Sequence, residues 1–176
     1  FVNDREIKPV DPFFVVEATQ ILQSHKLRDS NGATVMIEPF VMPHESKVID
    51  RLAREKAGDS RDWVAKQGFY IYRQDRLLVA GSWLGFRGWR KDEHHKLARI
   101  RISITNQSDD LWQIDVTKRK AKPPEQFKEA LRKIGQTTRE RAKRVYTFRG
   151  SRISPSSAFE MKFVWEQVVL HGKTSY

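Results

Sequence analysis

The sequence contains no cysteine in 176 residues, which excludes disulfide bonds, thiolate metal ligands and a cysteine nucleophile. This composition fits a reducing compartment. The chain also lacks any apolar run approaching the ~20 residues that a membrane-spanning helix needs, and no signal peptide opens it. We therefore expect a cytoplasmic protein that has no membrane partner.

The signatures of common catalytic sites are missing as well. There is no glycine-rich loop followed by Lys-Ser/Thr, which excludes a P-loop, and there is no Gly-x-Ser-x-Gly nucleophile elbow. His94 and His95 follow two acidic residues, but adjacent side chains point in different directions and rarely share one metal ion. We expect no catalytic residue, no metal site and no enzymatic activity in this chain.

What the sequence does contain is a concentrated excess of positive charge. The net charge is +11, and the segment 117–152 holds 13 lysines and arginines against 3 acidic residues. Such a concentration attracts phosphate groups by direct pairing and by counterion release. Two interpretations stay open at this point, namely a contact with nucleic acid and a solvated basic helix face.

Two segments rich in β-branched and aromatic residues predict strands. Thr34–Val41 is one, and Pro43 closes it. Gly68–Tyr72 and Leu77–Ala80 are the two arms of a hairpin, because only the short polar segment 73–76 separates them.

Two further strands are predicted downstream. In Leu97–Thr105, isoleucines alternate with polar residues, which is typical of a half-buried antiparallel strand. Ile100, Ile102 and Ile104 should enter the core, and the side chains that face away from it are Arg99, Arg101 and Ser103. Leu111–Val116 is the second strand.

Helical spacing of apolar residues appears twice. Ser46–Lys56 predicts a short helix, and a longer one begins behind Pro123-Pro124. The longer helix has one apolar stripe, formed by Phe127, Leu131, Ile134, Thr138, Ala142 and Val145. The order of elements predicts an α+β fold with a mixed or antiparallel sheet and helices packed on one face. We expect one domain over residues 1–152, then a linker and a C-terminal hairpin over 153–176 that lead to a further region.

The opposite face of the longer helix carries most of its positive charge. If the chain binds DNA, these side chains would contact phosphates without reading the base sequence. The candidate contacts are Lys128, Arg132, Lys133, Arg139, Lys143 and Arg144.

Aromatic residues cluster around the segment 81–90. Trp63, Trp83, Phe86 and Trp89 lie near glycines and arginines, a combination that can stack on nucleic-acid bases. The same residues can equally cover the open side of a sheet, and we favour this second interpretation.

A short basic loop separates the last predicted strand from the longer helix. It contains Lys118, Lys120 and Lys122 between the strand and the two prolines. An ammonium group is a good ligand for a terminal phosphate. By itself this pattern is weak, because many basic loops bind nothing specific.

Several stretches resemble the middle region of bacterial GHKL-type ATPases, the class of gyrase B, heat-shock chaperones, histidine kinases and MutL. More distantly, they are similar to the microrchidia ATPases. The stretches are DPFF…EAT, QGFYIYRQDRLLVAGSWLG, KDEHHKLARIRISI, LWQIDVTKRKAKPP and VWEQVV…GKTSY. The hairpin and the block from Leu97 to Pro124 are the most specific of them.

The resemblance implies the transducer domain of such an ATPase, with the fold of ribosomal small-subunit protein five. It implies that the missing partner is an N-terminal nucleotide-binding domain of the same protein, which binds ATP and magnesium. In this class, a transducer lysine reaches the γ-phosphate of ATP, and Lys118, Lys120 and Lys122 match that loop by position. The chain alone, which lacks initiator methionine, should be a fragment that binds no cofactor and no ATP. Three alternatives stay open, namely a basic nucleic-acid-binding module, a structural dimerisation domain and homodimerisation of the full-length ATPase.

Overall fold

The computed structural model describes residues 11–15, 19–28, 30, 32–48, 60–113 and 121–148. These residues form an α+β fold with one mixed sheet and one long helix. The strands are β1 (Gln20–Ile21), β2 (His25–Arg28), β3 (Thr34–Val41), β4 (Gly68–Arg73), β5 (Arg76–Ser82) and β6 (Ala98–Ile104). The α-helices are α1 (Asp109–Trp112) and α2 (Glu125–Phe148). Short 3-10 helices occupy Glu45–Lys47, Ser60–Trp63, Glu93–His95 and Asn106–Ser108.

The sheet combines antiparallel and parallel pairs. Strands β1 and β2 both pair with the same side of β3, and the order then continues through β6 and β4 to β5. Strand β6 runs antiparallel to β3 but parallel to β4. The antiparallel prediction for Leu97–Thr105 is therefore confirmed on the β3 side and wrong on the β4 side. The long connection from β4 to β6, through β5 and the aromatic segment, is what permits a parallel pair.

The hairpin predicted from β4 and β5 is confirmed. Its two turn residues, Gln74 and Asp75, have φ angles of 46° and 64°. Two consecutive positive φ angles give the turn whose twist matches that of the flanking strands. At the other end of the hairpin, Gly68 has φ of 113°, and a Cβ there would lie 2.7 Å from the Ser82 carbonyl oxygen. A glycine is therefore required at this position.

The alternation along β6 decides which face of the sheet forms the main core. Ile100, Ile102 and Ile104 are buried, while Arg101 and Ser103 on the opposite face are partly exposed, as the alternation predicts. Arg99 also faces away from the isoleucines, as predicted, but it is only 1% exposed. Its guanidinium donates to the Trp63 carbonyl oxygen, so the 3-10 helix Ser60–Trp63 lies against this end of the face.

Two predictions of secondary structure need correction. Leu111 and Trp112, assigned from the sequence to a strand, are helical and end α1. Residues 114–116, the rest of that assignment, lie outside the described ranges. The predicted helix Ser46–Lys56 does not begin as expected, since its first two residues belong to a 3-10 helix that ends before Val48. Its remainder from residue 49 onward is not among the described residues.

Helix α2 follows its sequence pattern closely. It begins directly after Pro124, and five of its predicted stripe residues are buried while Val145 is partly buried. The helix packs over β3 and β6. In the part of the chain that the structure describes, no helix combines the length and apolarity needed to cross a membrane. The linker and hairpin predicted for 153–176 lie outside it.

Aromatic side chains pack over the β4 end of the same face. Phe69 of β4 makes edge contacts with Trp83 at 5.9 Å and lies 6.3 Å from Phe86, measured between ring centroids. Trp89 stands perpendicular to Trp83 at 5.3 Å. This packing agrees with the interpretation that the aromatic residues cover the sheet. Aromatic rings therefore cover the helix-facing side of the sheet at β4. At β1 and β2, no aromatic ring among the described residues covers that side.

Replacing Gly135 with alanine is expected to destabilise the fold, although alanine is the better helix former. An added Cβ would lie 2.6 and 2.7 Å from two ring carbons of Trp89, and 3.1 Å from Phe69 Cζ. Overpacking costs roughly 1–3 kcal/mol, and contacts this short with a packed ring place the cost in the upper part of that range, about 2–3 kcal/mol. The ~1 kcal/mol gained in helix propensity offsets part of it, so urea unfolding should show a net loss of about 1–2 kcal/mol. The neighbouring exposed Gln136→Ala serves as control, and a Gly135→Ala variant as stable as the parent contradicts the packing.

Candidate functional site

The basic loop is anchored where it leaves and rejoins the folded core. Lys118 and Lys120 lie outside the described residues, whereas Lys122 is described and exposed. The backbone N–H of Lys122 donates to the carbonyl oxygen of Trp112 at 3.2 Å. Trp112 is fully buried, and its ring centroid lies 6.3 Å from that of Phe127 on α2. The segment 113–121 is therefore bounded by two residues that are bonded to each other.

An open depression of about 460 Å³ lies at the base of this loop. Lys122, Gln113 and Glu125 contribute polar side chains to its rim, and Pro123 and Pro124 contribute apolar surface. The wall beyond them comes from Leu111 and Ser30. The depression is therefore a mixed surface beside the start of α2, and among the three predicted lysines only Lys122 is placed there.

The exposed side of α2 carries both signs of charge. Arg132, Lys133, Lys143 and Arg144 are exposed, as predicted. Lys128 is partly buried and forms an ion pair with Glu125, one turn away. Two more carboxylates lie on the exposed side of the helix, those of Glu129 and Glu140. This mixture favours a solvated helix face, and contact of these cations with nucleic-acid phosphates stays a prediction.

Arg139 does not belong to that exposed set, contrary to the prediction. It is 7% exposed, and its guanidinium carbon lies 4.8 Å from the ring centroid of Trp83 and 4.9 Å from that of Trp89. Its Nη2 lies 3.4 Å from His95 Nδ1 and 4.0 Å from Asp92 Oδ2. The side chain thus links α2 to the aromatic segment and cannot reach an external phosphate.

The pair of Asp92 and His95 completes this contact. Asp92 caps the 3-10 helix Glu93–His95 and lies 2.7 Å from His95 Nδ1. Burial lowers the pKa of His95, and Arg139 lowers it further, while the bond to Asp92 opposes both. Burial would raise the pKa of Asp92, but contacts with His95 and the charge of Arg139 outweigh it and the pKa is lowered. Both groups are engaged in holding α2 in place.

A second contact holds the C-terminal part of α2. The Tyr146 ring lies 5.9 Å from the His44 ring and 5.5 Å from the His94 ring, and the Lys96 ammonium sits above it at 5.5 Å. Lys96 forms ion pairs with Glu93 at 3.0 Å and Glu45 at 3.6 Å. The histidines therefore pack on a ring. No group of three or more metal-binding side chains occurs within the described ranges.

Arg99 is the most deeply buried charge, and sequence reasoning missed its environment. Its hydrogen-bond partners are carbonyl oxygens, those of Lys96 at 2.6 Å, Ala98 at 3.1 Å and Trp63 at 3.4 Å. Burial lowers its pKa to about 10, against the opposing effect of Tyr70. Since the guanidinium is still protonated at neutral pH, it acts as a fixed cation that ties the start of β6 to the 3-10 helix Ser60–Trp63. No local sequence signal identifies such a role, because Trp63 is 36 positions away.

The three anchored positions in this region are therefore Trp112 at the loop base, Arg139 in the middle of α2 and Tyr146 near its end.

No family model, no curated protein and no solved structure matches this chain.

Proposed function

We propose that this chain is the transducer domain of a larger GHKL-type ATPase, with the transducer version of the α+β fold. In this proposal a lysine of the loop 117–122 contacts the γ-phosphate of ATP held by a nucleotide-binding domain of the same protein. The chain itself contributes no catalytic residue. Its task is to respond to the state of the nucleotide and to pass that response to the rest of the protein.

The observation that carries the proposal is the closed base of the loop. Lys122 N–H and Trp112 O are bonded at 3.2 Å, and Trp112 is buried against Phe127. Closing the base removes the loop-closure part of the entropy cost before any ligand binds. The stretch 117–124 contains four cations and no acidic residue, which suits a phosphate ligand.

Helix α2 offers the route by which the response would travel. It starts three residues after Lys122 and extends for 24 residues, which is about 36 Å at 1.5 Å per residue. Phe127, in its first turn, packs on the tryptophan that forms the loop base. A displacement of the loop is therefore expected to move the N-terminal end of the helix, while the contacts of Arg139 and Tyr146 hold its C-terminal half in place.

The chemistry of the ligand makes this arrangement a switch. ATP supplies a doubly charged terminal phosphate that hydrolysis removes, so a lysine contact exists only before turnover. A ligand shifts a two-state equilibrium only by its different affinity for the two states, and this lysine contact supplies the difference. Magnesium would be held by the nucleotide-binding domain, since the described part of this chain groups no ligands for it.

The proposal is tested by a lysine scan in the full-length ATPase. Lys118→Ala, Lys120→Ala and Lys122→Ala are each assayed for ATP turnover, with Lys143→Ala on the exposed face of α2 as the matched control. One loop variant is expected to lower turnover by about tenfold or more, equivalent to ~1.4 kcal/mol of transition-state stabilisation. Circular dichroism and thermal unfolding are expected to match the parent, so that a loss of turnover is not a loss of folding.

Three results would overturn the proposal. The first is full activity in all three loop variants, which would leave the loop as a connector only. The second is a native reading frame in which no nucleotide-binding domain precedes Phe1, since the loop would then have no ATP to contact. The third is an equal loss in the loop variants and in Lys143→Ala, because it would reflect lost net charge and not a specific contact.

A further inference from the structure

A groove runs between α2 and the edge of the sheet formed by β1 and β2. Its volume is about 340 Å³. The floor is made by buried Pro39, Ile134 and Thr138, and the walls are made by side chains of both elements. The wall residues are Leu22, Gln23, His25, Leu27, Ala130, Lys133 and Thr137. The groove exists because α2 lies over β3 and β6, and within the described ranges no helix or strand packs over the β1–β2 edge beyond it.

The edge beside the groove is open to a further strand. Within the described ranges, β2 pairs with β3 on one side and with no strand on the other. An edge strand presents alternate backbone N–H and C=O groups outward, and these groups can pair with an extended segment of another chain. His25 and Leu27 turn toward the groove, since they pair with Ile37 and Val35 of the core face.

Cations outnumber carboxylates around the groove. The segment Gln20–Arg28 contains Lys26 and Arg28 and no acidic residue. Lys133 lines the groove, and no carboxylate is among the lining residues. Arg141 lies beside β1, because its Nε donates to Gln20 Oε1 at 2.7 Å. Glu129 and Glu140 flank Lys133 on the exposed side of α2 and offset part of this excess, and the occupant that the remaining positive charge attracts is negatively charged.

The floor distinguishes between two classes of negatively charged partner. Pro39 and Ile134 have no side-chain hydrogen-bonding groups, and the Thr138 hydroxyl already donates to the Ile134 carbonyl oxygen at 2.8 Å. An apolar floor does not suit a phosphate backbone, whereas it suits alternate apolar side chains of an extended peptide.

We propose that this groove binds an extended acidic peptide segment, which adds to the sheet as a strand next to β2. Its apolar side chains enter the groove between Leu27 and Ile134. Its acidic side chains, on the other face of the added strand, lie near Lys26 and Arg28, and Lys133 adds positive charge at the wall of the groove. Backbone pairing provides affinity, and the alternation of apolar and acidic residues provides selectivity.

The test uses the 176-residue chain and a fluorescein-labelled heptapeptide of alternating valine and glutamate. Fluorescence anisotropy compares it with the valine–lysine peptide and with a version whose central valine is proline. The acidic peptide is expected to bind at least about tenfold more tightly than either, a difference of ~1.4 kcal/mol. Proline should weaken binding because it removes a backbone donor and cannot extend a ladder.

Matched variants locate the site. Lys133→Glu reverses a charge at the groove and should weaken binding about tenfold. Lys143→Glu makes the same change on the exposed face of α2 and should leave affinity within about twofold, because screening limits charge effects to roughly 10 Å. Thr137→Trp should fill the groove and abolish binding while circular dichroism stays unchanged. Hydrogen exchange should show new protection of the β2 amides at 25–28 in the complex.

Four outcomes would overturn the proposal. One is absence of measurable binding by the acidic peptide, and another is equal binding of the lysine peptide. A third is protection that maps away from β2 and the groove-facing side of α2. The last is a seven-nucleotide oligothymidine that binds more tightly than the acidic peptide and whose binding is weakened by Lys133→Glu. That result would assign the groove to nucleic acid.

Discussion

Replacing Trp112 with alanine is expected to lower the free energy of unfolding by about 3–5 kcal/mol, the range for deleting a large buried aromatic side chain. Trp112 is fully buried, and its ring packs near Phe127 at the start of α2. Its deletion leaves a cavity at the point where three parts of the chain meet, namely the end of α1, the base of the basic loop and the first turn of α2. Urea unfolding followed by circular dichroism measures the loss.

The phenylalanine variant separates packing from hydrogen bonding. Among the described residues, Trp112 Nε1 has no hydrogen-bond partner, so Trp112→Phe removes ring volume and no bond. Its cost should stay below roughly 2 kcal/mol, since most of the apolar contact is retained. A Trp112→Phe variant as unstable as Trp112→Ala would show that the indole N–H contributes a contact that the aromatic ring alone does not replace.

The same pair of variants also examines the proposed function. The bond from Lys122 N–H to Trp112 O involves only backbone atoms, so phenylalanine should preserve the closed loop base. In the full-length ATPase, Trp112→Phe is expected to keep turnover close to that of the parent. Trp112→Ala, assayed at a temperature where it remains folded, should lower turnover because the base of the loop loses its support. Unimpaired turnover in Trp112→Ala would mean that the loop does not depend on this anchor.

Local patterns in the sequence predicted the parts of the fold that depend on local interactions. The hairpin of β4 and β5 follows from two strand patterns separated by a tight turn, and Gln74 and Asp75 adopt the positive φ angles that such a turn needs. The stripe of α2 follows from the helical period, since one face of any surface helix has to be buried. The alternation in β6 correctly separated Ile102 from Arg101.

The sequence also held a signal for α1 that the strand prediction overlooked. Ser108 precedes Asp109 and Asp110, and a serine followed by acidic residues is typical of the first turn of a helix. The prediction instead followed the apolar residues from Leu111 onward. A short helix places Trp112 in the core and turns the chain at Gln113, where φ is 40°. The lysine loop therefore does not leave directly from a strand at Trp112.

Local sequence patterns could not predict the environments of the two buried arginines. Arg99 bonds to the carbonyl oxygen of Trp63, and Arg139 contacts His95, 44 positions away. The alternation in β6 assigned Arg99 to the face away from the core, and the helical period assigned Arg139 to the exposed face of α2. Only the tertiary structure brings the acceptors and aromatic rings that make such burial tolerable. The groove beside β2 escaped prediction for the same reason, since it depends on which strands α2 crosses.

Replacing Arg139 with alanine is expected to cost about 2–4 kcal/mol, although Arg139 lies among cations that were predicted to be exposed. A desolvated cation–π contact contributes about 2 kcal/mol, and the aliphatic stem adds packing. The guanidinium is 4.8 and 4.9 Å from the centroids of Trp83 and Trp89. Exposed Lys143→Ala and Arg132→Ala, on the same helix, should change stability by no more than roughly 0.5 kcal/mol.

Arg139→Lys should recover little of this loss, which distinguishes a stacked guanidinium from a simple positive charge. A lysine ammonium is compact and strongly hydrated, and it has no planar group with which to contact the two indole rings. Full recovery of stability by lysine would show that charge alone matters at this position. Tryptophan fluorescence should change in both variants, because two of the five tryptophans lose the neighbouring guanidinium.

The pKa of His95 gives an independent measure of the same contact. Arg139 lowers that pKa, so Arg139→Ala should raise it, as followed by NMR titration of the imidazole. In the parent, the folded-state pKa of His95 lies below its unfolded value of 6.5, and the unfolded chain binds more protons between these two values. Stability therefore falls as the pH decreases through that window. Because Arg139→Ala brings the folded-state pKa of His95 closer to the unfolded value, the part of this fall that His95 causes should be smaller in the variant. If neither the His95 pKa nor the stability changes, Arg139 belongs with the exposed cations of α2, for which the sequence predicted a phosphate contact.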